Sequence, residues 1–85
     1  MHYEFTPRGV CSRRIEFDLD GEIVQNVRFQ GGCDGNLKAV SKLVEGKPAR
    51  EIEKILRGNT CGFKQTSCAD QFAIALRRAL DGQNE

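Results

Sequence analysis

Residues 11–33 run CSRRIEFDLDGEIVQNVRFQGGC, and the way this stretch turns back on itself decides the architecture. Ile15, Phe17 and Leu19 alternate with Arg14, Glu16 and Asp18. Apolar residues at every second position mark a half-buried strand. Asp20-Gly21 follows, the dipeptide preferred in a two-residue type I′ turn. Beyond it, Ile23, Val27 and Phe29 fall in phase on a second strand. The stretch predicts an antiparallel hairpin. The start of its first strand and the end of its second are then neighbours, which puts Cys11 and Cys33 at the same open end.

Helical spacing takes over after Gly35. Leu37, Val40, Leu43 and Val44 recur at steps of three and four, with Asp34 or Asn36 available as the cap. Gly46 is a natural stop. Pro48 suits the first turn of a second helix, whose apolar face is Ala49, Ile52, Ile55 and Leu56 and which Gly58 ends. The run NTCGFKQTSC is a loop. A last helix starts near Ser67 or Cys68 and reaches about Leu80, burying Phe72, Leu76, Ala79 and Leu80. Upstream, residues 1–8 form a lead-in, broken by Pro7 and Gly9, with room for a third strand over His2–Phe5. Residues 81–85 form a polar, frayed tail. A hairpin followed by segregated helices predicts one α+β domain over residues 1–85. A bare hairpin is marginal in water, so the expected form is a two- or three-stranded antiparallel sheet with three helices packed on one side.

The chain has 85 residues and a formal charge of +1, with acids and bases interspersed. Nucleic-acid binding would call for a basic stripe, so no nucleic-acid partner is expected. No apolar run is long enough to span a bilayer, and MHYEFTPRGV lacks an apolar signal core. The expectation is a cytoplasmic chain without a membrane partner. A domain this small often needs a staple, such as a disulfide, a metal or a second subunit.

The four cysteines are the chemical content of the sequence. In a reducing compartment, clustered cysteines are more often metal ligands or reactive thiols than structural disulfides, although an even count leaves disulfides open. Cys11 opens the first strand, and Cys33 follows the second. Cys61 lies in the last loop, and Cys68 opens the last helix. Cys33 and Cys68 precede helices, where unpaired N–H groups and the helix dipole favour a negatively charged ligand atom. None of the four sits mid-helix on an apolar face. Their spacing contains no C-x-x-C knuckle, so it names neither a zinc ribbon nor a thioredoxin-like site. GGCDGNLK has the look of a phosphate loop entering a helix, but it lacks the G-x-x-x-x-G-K-[ST] pattern and a βαβ frame. Its glycines let the backbone turn and approach something closely. Asp34 is a cap first and an oxygen ligand second. His2, the single histidine, lies in a mobile lead-in and makes a poor catalytic base.

At TSCAD, residues 66–70, the chain resembles the small proteins named for a Thr-Ser-Cys-Pro-Asp motif, the TSCPD domain. The resemblance extends to GVCSRRIEFDLDGEIVQNVRFQGGCDGNLKAVSKLVEG and Cys61, and so takes in all four cysteines. Ala69 stands where the family name has proline. TSCPD domains also occur fused to adenosylcobalamin-dependent ribonucleotide reductases. Eighty-five residues have no room for the radical barrel or nucleotide site of such an enzyme, so no enzyme activity is expected of the chain on its own. The order of elements is also similar to the iron–sulfur cluster assembly scaffolds of the IscU/NifU type. Cys11, Cys33, SKLVEGK and SCADQFAIALRRAL with Cys68 take the corresponding places. That resemblance implies that Cys11, Cys33 and Cys68 converge. Arg13 stands where the scaffolds carry an aspartate, Ser67 where they carry a histidine, and Cys61 is additional.

The function expected is a cysteine-ligated metal-binding module. Cys11, Cys33, Cys61 and Cys68 would hold Zn2+ or an iron–sulfur cluster, structurally or for delivery to a protein partner that accepts the metal. One alternative is a redox module in which Cys61 and Cys68 act as a dithiol for a reductase. A metal-free interaction domain is another. The sequence leaves the oligomeric state open.

Overall fold

The computed structural model of the chain describes residues 1–10, 12–31, 34–60 and 66–83, apart from the side chains of residues 34–36 and 83. Its elements are β1 (His2–Phe5), β2 (Ser12–Asp20), β3 (Ile23–Gly31), α1 (Asp34–Val44), α2 (Ala49–Leu56) and α3 (Cys68–Gln83). The strands form one antiparallel sheet in the order β1-β2-β3. The fold is α+β, and the N-terminal segment supplies a third strand. His2 is therefore strand rather than mobile lead-in: it pairs with Asp18 across the sheet.

The hairpin closes one residue later than the Asp-Gly signal predicts. Asp20 pairs with Ile23, so the two loop residues are Gly21 and Glu22. Gly21 has φ +61°, and Glu22 is not in the left-handed region. Glycine at the first loop position with positive φ is the mark of a type II′ turn, which also matches the strand twist.

Two bulges interrupt the alternation, one in β2 near Arg13 and one in β3 between Gln25 and Arg28. The second carries Asn26 at φ 54°. Asparagine is among the few residues that tolerate this conformation. Its N–H donates to Glu45 Oε1 (2.8 Å), and its Nδ2 donates to Asp18 Oδ2 (3.0 Å). The bulge changes which residues of β3 face the helices. Val24 and Val27 are buried, whereas Ile23, which strict alternation places in the core, is only half-buried. The β2 bulge acts likewise: Ser12 and Ile15 are both buried, three positions apart.

The core joins the inner sheet face (Ile15, Phe17, Leu19, Val24 and Val27) to Val44, Ala49, Ile52 and the α3 stripe Phe72, Leu76, Ala79 and Leu80. Phe72 sits at its centre, edge-on to both Phe17 and Phe29 at 5.6 and 5.7 Å between ring centroids. The opposite sheet face carries His2, Arg14, Asn26 and Arg28 in water. Between α1 and α2 the chain docks onto β3. Gly46 N–H donates to Val24 O, Val24 N–H to Lys47 O, and Ala49 N–H to Glu22 O. Gly46 makes the stop at φ +77°, and Pro48 stands one residue before the start of α2, at the N-cap position, without a side-chain cap bond. α3 follows its predicted stripe and continues to Gln83. Two expected core residues are not covered: Leu43 of α1 is 72% exposed and Ile55 of α2 is 69% exposed. The apolar stripes of these helices are wider than the surface the sheet and α3 can bury.

Candidate metal centre

The site is built from the start of α3. Ser67 precedes the helix, and its hydroxyl accepts the Asp70 N–H (3.1 Å) while donating to Asn59 O (2.5 Å). A serine hydroxyl on the N–H three residues on is the standard helix N-cap. Asp70 stands where a capping box would reach back to the cap residue. Its carboxylate is instead drawn elsewhere: Oδ1 accepts the Gly58 N–H (2.6 Å) and Oδ2 accepts the Thr66 hydroxyl (2.5 Å). Thr66 Oγ1 in turn accepts from Gln71 Nε2 (3.0 Å), and Gln71 Oε1 accepts the Arg8 N–H (3.1 Å). The start of α3 is thus tied to the end of α2 and to the segment after β1. Ser67, Asp70 and Gln71 are buried, and no buried side-chain polar atom among the described residues lacks a partner.

These bonds engage Thr66, Ser67 and Asp70 of the TSCAD run in structure. Cys68 is left as the member with chemistry to offer. It occupies the first turn of α3, half-buried. Its Sγ lies 3.0 Å from Ser12 Oγ. Ser12 is 3% exposed and pairs with Gly31 at the open end of the hairpin. Ser12 is the covalent neighbour of Cys11, Gly31 precedes Cys33 by two residues, and Asn59, bonded to Ser67, precedes Cys61 by two. Cys11, Cys33 and Cys61 themselves lie outside the described residues, as does the side chain of Asp34. Of the four predicted ligands, Cys68 is the one whose position is described.

Ser12 was not legible as a site residue. Strict alternation from Ile15 places it on the solvent face, and only the bulge near Arg13 brings it under α3. No local signal marks that bulge. The capping role of Ser67 was legible from its place before the apolar stripe of α3. The reach of Asp70 to Gly58 was not, because it is non-local.

A second group of ligand-type side chains lies on the solvent face of the sheet: His2, Glu4 and Glu16. The Arg14 guanidinium stands 3.7 Å from Glu4 and 3.5 Å from Glu16, so a cation already bridges these carboxylates. His2 Nδ1 is 2.7 Å from Asp18 Oδ1. That hydrogen bond raises the His2 pKa above its ordinary value. Hydrogen bonds from Asn26 and then His2 lower the pKa of Asp18.

Among the described residues, no helix is long and apolar enough to cross a membrane. A family model described as the TSCPD domain matches residues 1–80. No curated protein and no solved structure matches the chain.

Proposed function

The chain belongs to the TSCPD domain family, and on that premise we propose that it is a cysteine-ligated metal-binding module. Cys11, Cys33, Cys61 and Cys68 supply thiolates to Zn2+ or an iron–sulfur cluster, and the module holds the metal for, or delivers it to, a protein partner. Thiolate sulfur suits these metals, and a helix N-terminus suits a charged sulfur. The observation that carries the reading is the contact of Ser12 with Cys68 at 3.0 Å, with Ser12 paired to Gly31. It brings segments adjoining two further cysteines to the start of α3. Bound metal would supply the charge that joins the thiolates. This chain's own part is to fix the Cys68 sulfur by the Ser67 cap and to offer it the Ser12 hydroxyl, which donates when the sulfur is a thiolate. A hydrogen bond of this kind orients a ligand and tunes the metal.

Protein purified without oxygen tests this by elemental analysis and its absorption spectrum. The expected result is about one zinc, or a sulfide-to-iron charge-transfer band, lost in Cys68→Ala. Protein that carries no metal, takes up no Zn2+ and loses no stability to a chelator overturns it.

A second reading draws on the Ser67–Asn59 bond, which ties the segment before Cys61 to the start of α3. In that reading Cys61 and Cys68 act as a dithiol for a reductase. Intact mass after mild oxidation separates the two, because a dithiol closing a disulfide loses two hydrogen atoms, as two protons and two electrons passed to the added oxidant.

A further inference from the structure

Side chains alternate between the two faces of a strand. The face that turns Tyr3 toward Phe17 therefore leaves His2 and Glu4 of β1, and Glu16 and Asp18 of β2, together on the other. His2 stands opposite Asp18 and Glu4 opposite Glu16, so four ligand-type side chains form a two-by-two array. Tyr3 stacks on Phe17 with 5.5 Å between ring centroids and holds that register from the core side.

Two features set this array apart from an ordinary acidic patch. The first is the imidazole. His2 Nδ1 donates to Asp18 Oδ1 at 2.7 Å, which leaves Nε2 of the neutral ring with its lone pair. Nε2 is 3.7 Å from Glu4 Oε1, too far for a hydrogen bond. A ring whose other nitrogen is held by a carboxylate is the usual state of a metal-bound histidine. Asp18 is held in turn by Asn26 Nδ2 at 3.0 Å. The second feature is charge. Glu4 and Glu16 are carboxylates directly opposed across the strand pair, an arrangement that destabilises it. Their compensation is a single atom, Arg14 Nη1, at 3.7 and 3.5 Å. A charge-assisted hydrogen bond is shorter, about 2.7–2.9 Å. The Arg14 side chain is 48% exposed and has water to swing into.

We propose that His2, Glu4 and Glu16 form a second metal site, free of cysteine, which takes a divalent first-row cation and clips β1 to β2. One ligand atom from each of the three lies within 4.8 Å of the others. Atoms each about 2.1 Å from one ion are at most about 4.2 Å apart, so small rotations of exposed side chains close the site. An imidazole with two carboxylates suits Mn2+ or Zn2+, with water completing the shell. Asp18 positions the ring. Arg14 holds the place of the ion and competes with it. β1 has four residues, and β2 is its one strand neighbour among the described residues, so an ion shared by the two strands is a staple where the sheet has least else to hold it. The site uses none of the cysteines and stands or falls apart from the function proposed above.

Mn2+ is the probe, because it prefers carboxylate and water oxygen to thiolate. Added below stoichiometry to the full chain, it should broaden the amide signals of His2, Glu4, Glu16 and Asp18 first in proton–nitrogen NMR spectra. Excess Mn2+ should raise the thermal midpoint, since an ion bound only by the folded chain stabilises it by mass action. His2→Gln and Glu16→Gln should each weaken binding about tenfold or more and abolish the thermal shift. Arg14→Ala should tighten binding several-fold by removing the competing charge, which the loss of a merely structural arginine would not do. Glu51→Gln, on α2, should change neither. Broadening spread evenly over the surface carboxylates, or centred on Ser12 and Cys68, overturns the proposal. So does a midpoint indifferent to Mn2+, binding undiminished in Glu16→Gln, or an Arg14→Ala chain that binds no more tightly.

Discussion

At the start of α3, every polar side chain of the TSCAD run has found a partner. Across the face shared by α1 and α2, two of the largest apolar side chains have found none. Ser67, Asp70 and Gln71 are buried and bonded, whereas Leu43 and Ile55 are in water. The contrast separates two ways of using a surface in a small domain. One end uses its polar groups to tie the start of α3 to the end of α2 and to the segment after β1. The other face leaves apolar side chains that no described residue covers.

The contrast breaks most visibly at Phe72, one turn beyond Cys68. This ring locks the beginning of α3 onto Phe17 and Phe29. Phe72→Ala should destabilise the domain by about 3–5 kcal/mol, as emptied aromatic sites do. Urea unfolding followed by circular dichroism reads this as a lower midpoint. A loss under about 1 kcal/mol would mean α3 is held by its hydrogen bonds and not by its apolar stripe.

Asp70→Ala comes next. It removes two part-buried hydrogen bonds to a charged acceptor, from the Gly58 N–H and the Thr66 hydroxyl, a loss of about 1–3 kcal/mol. The same unfolding experiment measures it. Hydrogen exchange should show earlier opening at Gly58 than at the centre of α3.

His2 and Asp18 sharpen the comparison, because they are partnered yet exposed. The folded-state pKa of His2 is raised, so its contribution is complete below about 6.5 and disappears as pH rises through the folded value. The folded-state pKa of Asp18 is lowered, so its contribution is complete above about 3.9 and disappears as pH falls through its folded value. The pair therefore acts most between these limits. Thermal melts from pH 5 to 8 should show the gap between the wild type and His2→Gln narrowing as pH rises. A gap independent of pH would assign the effect of His2 to strand packing alone.

The smallest effect is expected at the other pole. Ile55→Ser, measured on dilute monomer, should change stability by no more than about 0.5 kcal/mol, the usual range for surface positions. A large loss would mean that Ile55 belongs to the core after all.

Much of this was legible in the chain. The hairpin, the three helices, their glycine stops and the place of Cys68 at a helix start all follow from periods, turn formers and caps, which are local. What was not legible depends on distant partners. Asn26 adopts φ 54° with its N–H held by Glu45, nineteen residues on. Ser12 faces inward because of a bulge that no dipeptide announces. Leu43 and Ile55 satisfy the helical pattern of a buried stripe, and pattern alone cannot report that the sheet and α3 have run out of area to cover them. The resemblance to the cluster-assembly scaffolds rests on the order of residues and stays a guide for the metal experiment.

The two bulges have a joint consequence. One inserts its extra residue in β2 and the other in β3, on opposite strands of the same ladder. They act as frameshifts of opposite sign, and they cancel. Asp20 faces Ile23 beside the turn, and Ser12 still faces Gly31 at the far end, as they would in a hairpin with no bulge at all. Only the middle of the ladder runs one step out of frame. Which residues meet at the open end is therefore settled by the turn, and which of their side chains look toward α3 is settled by the bulges. Removing one bulge should shift the frame at the mouth of the hairpin. Removing both should keep the frame and turn Ser12 away from Cys68.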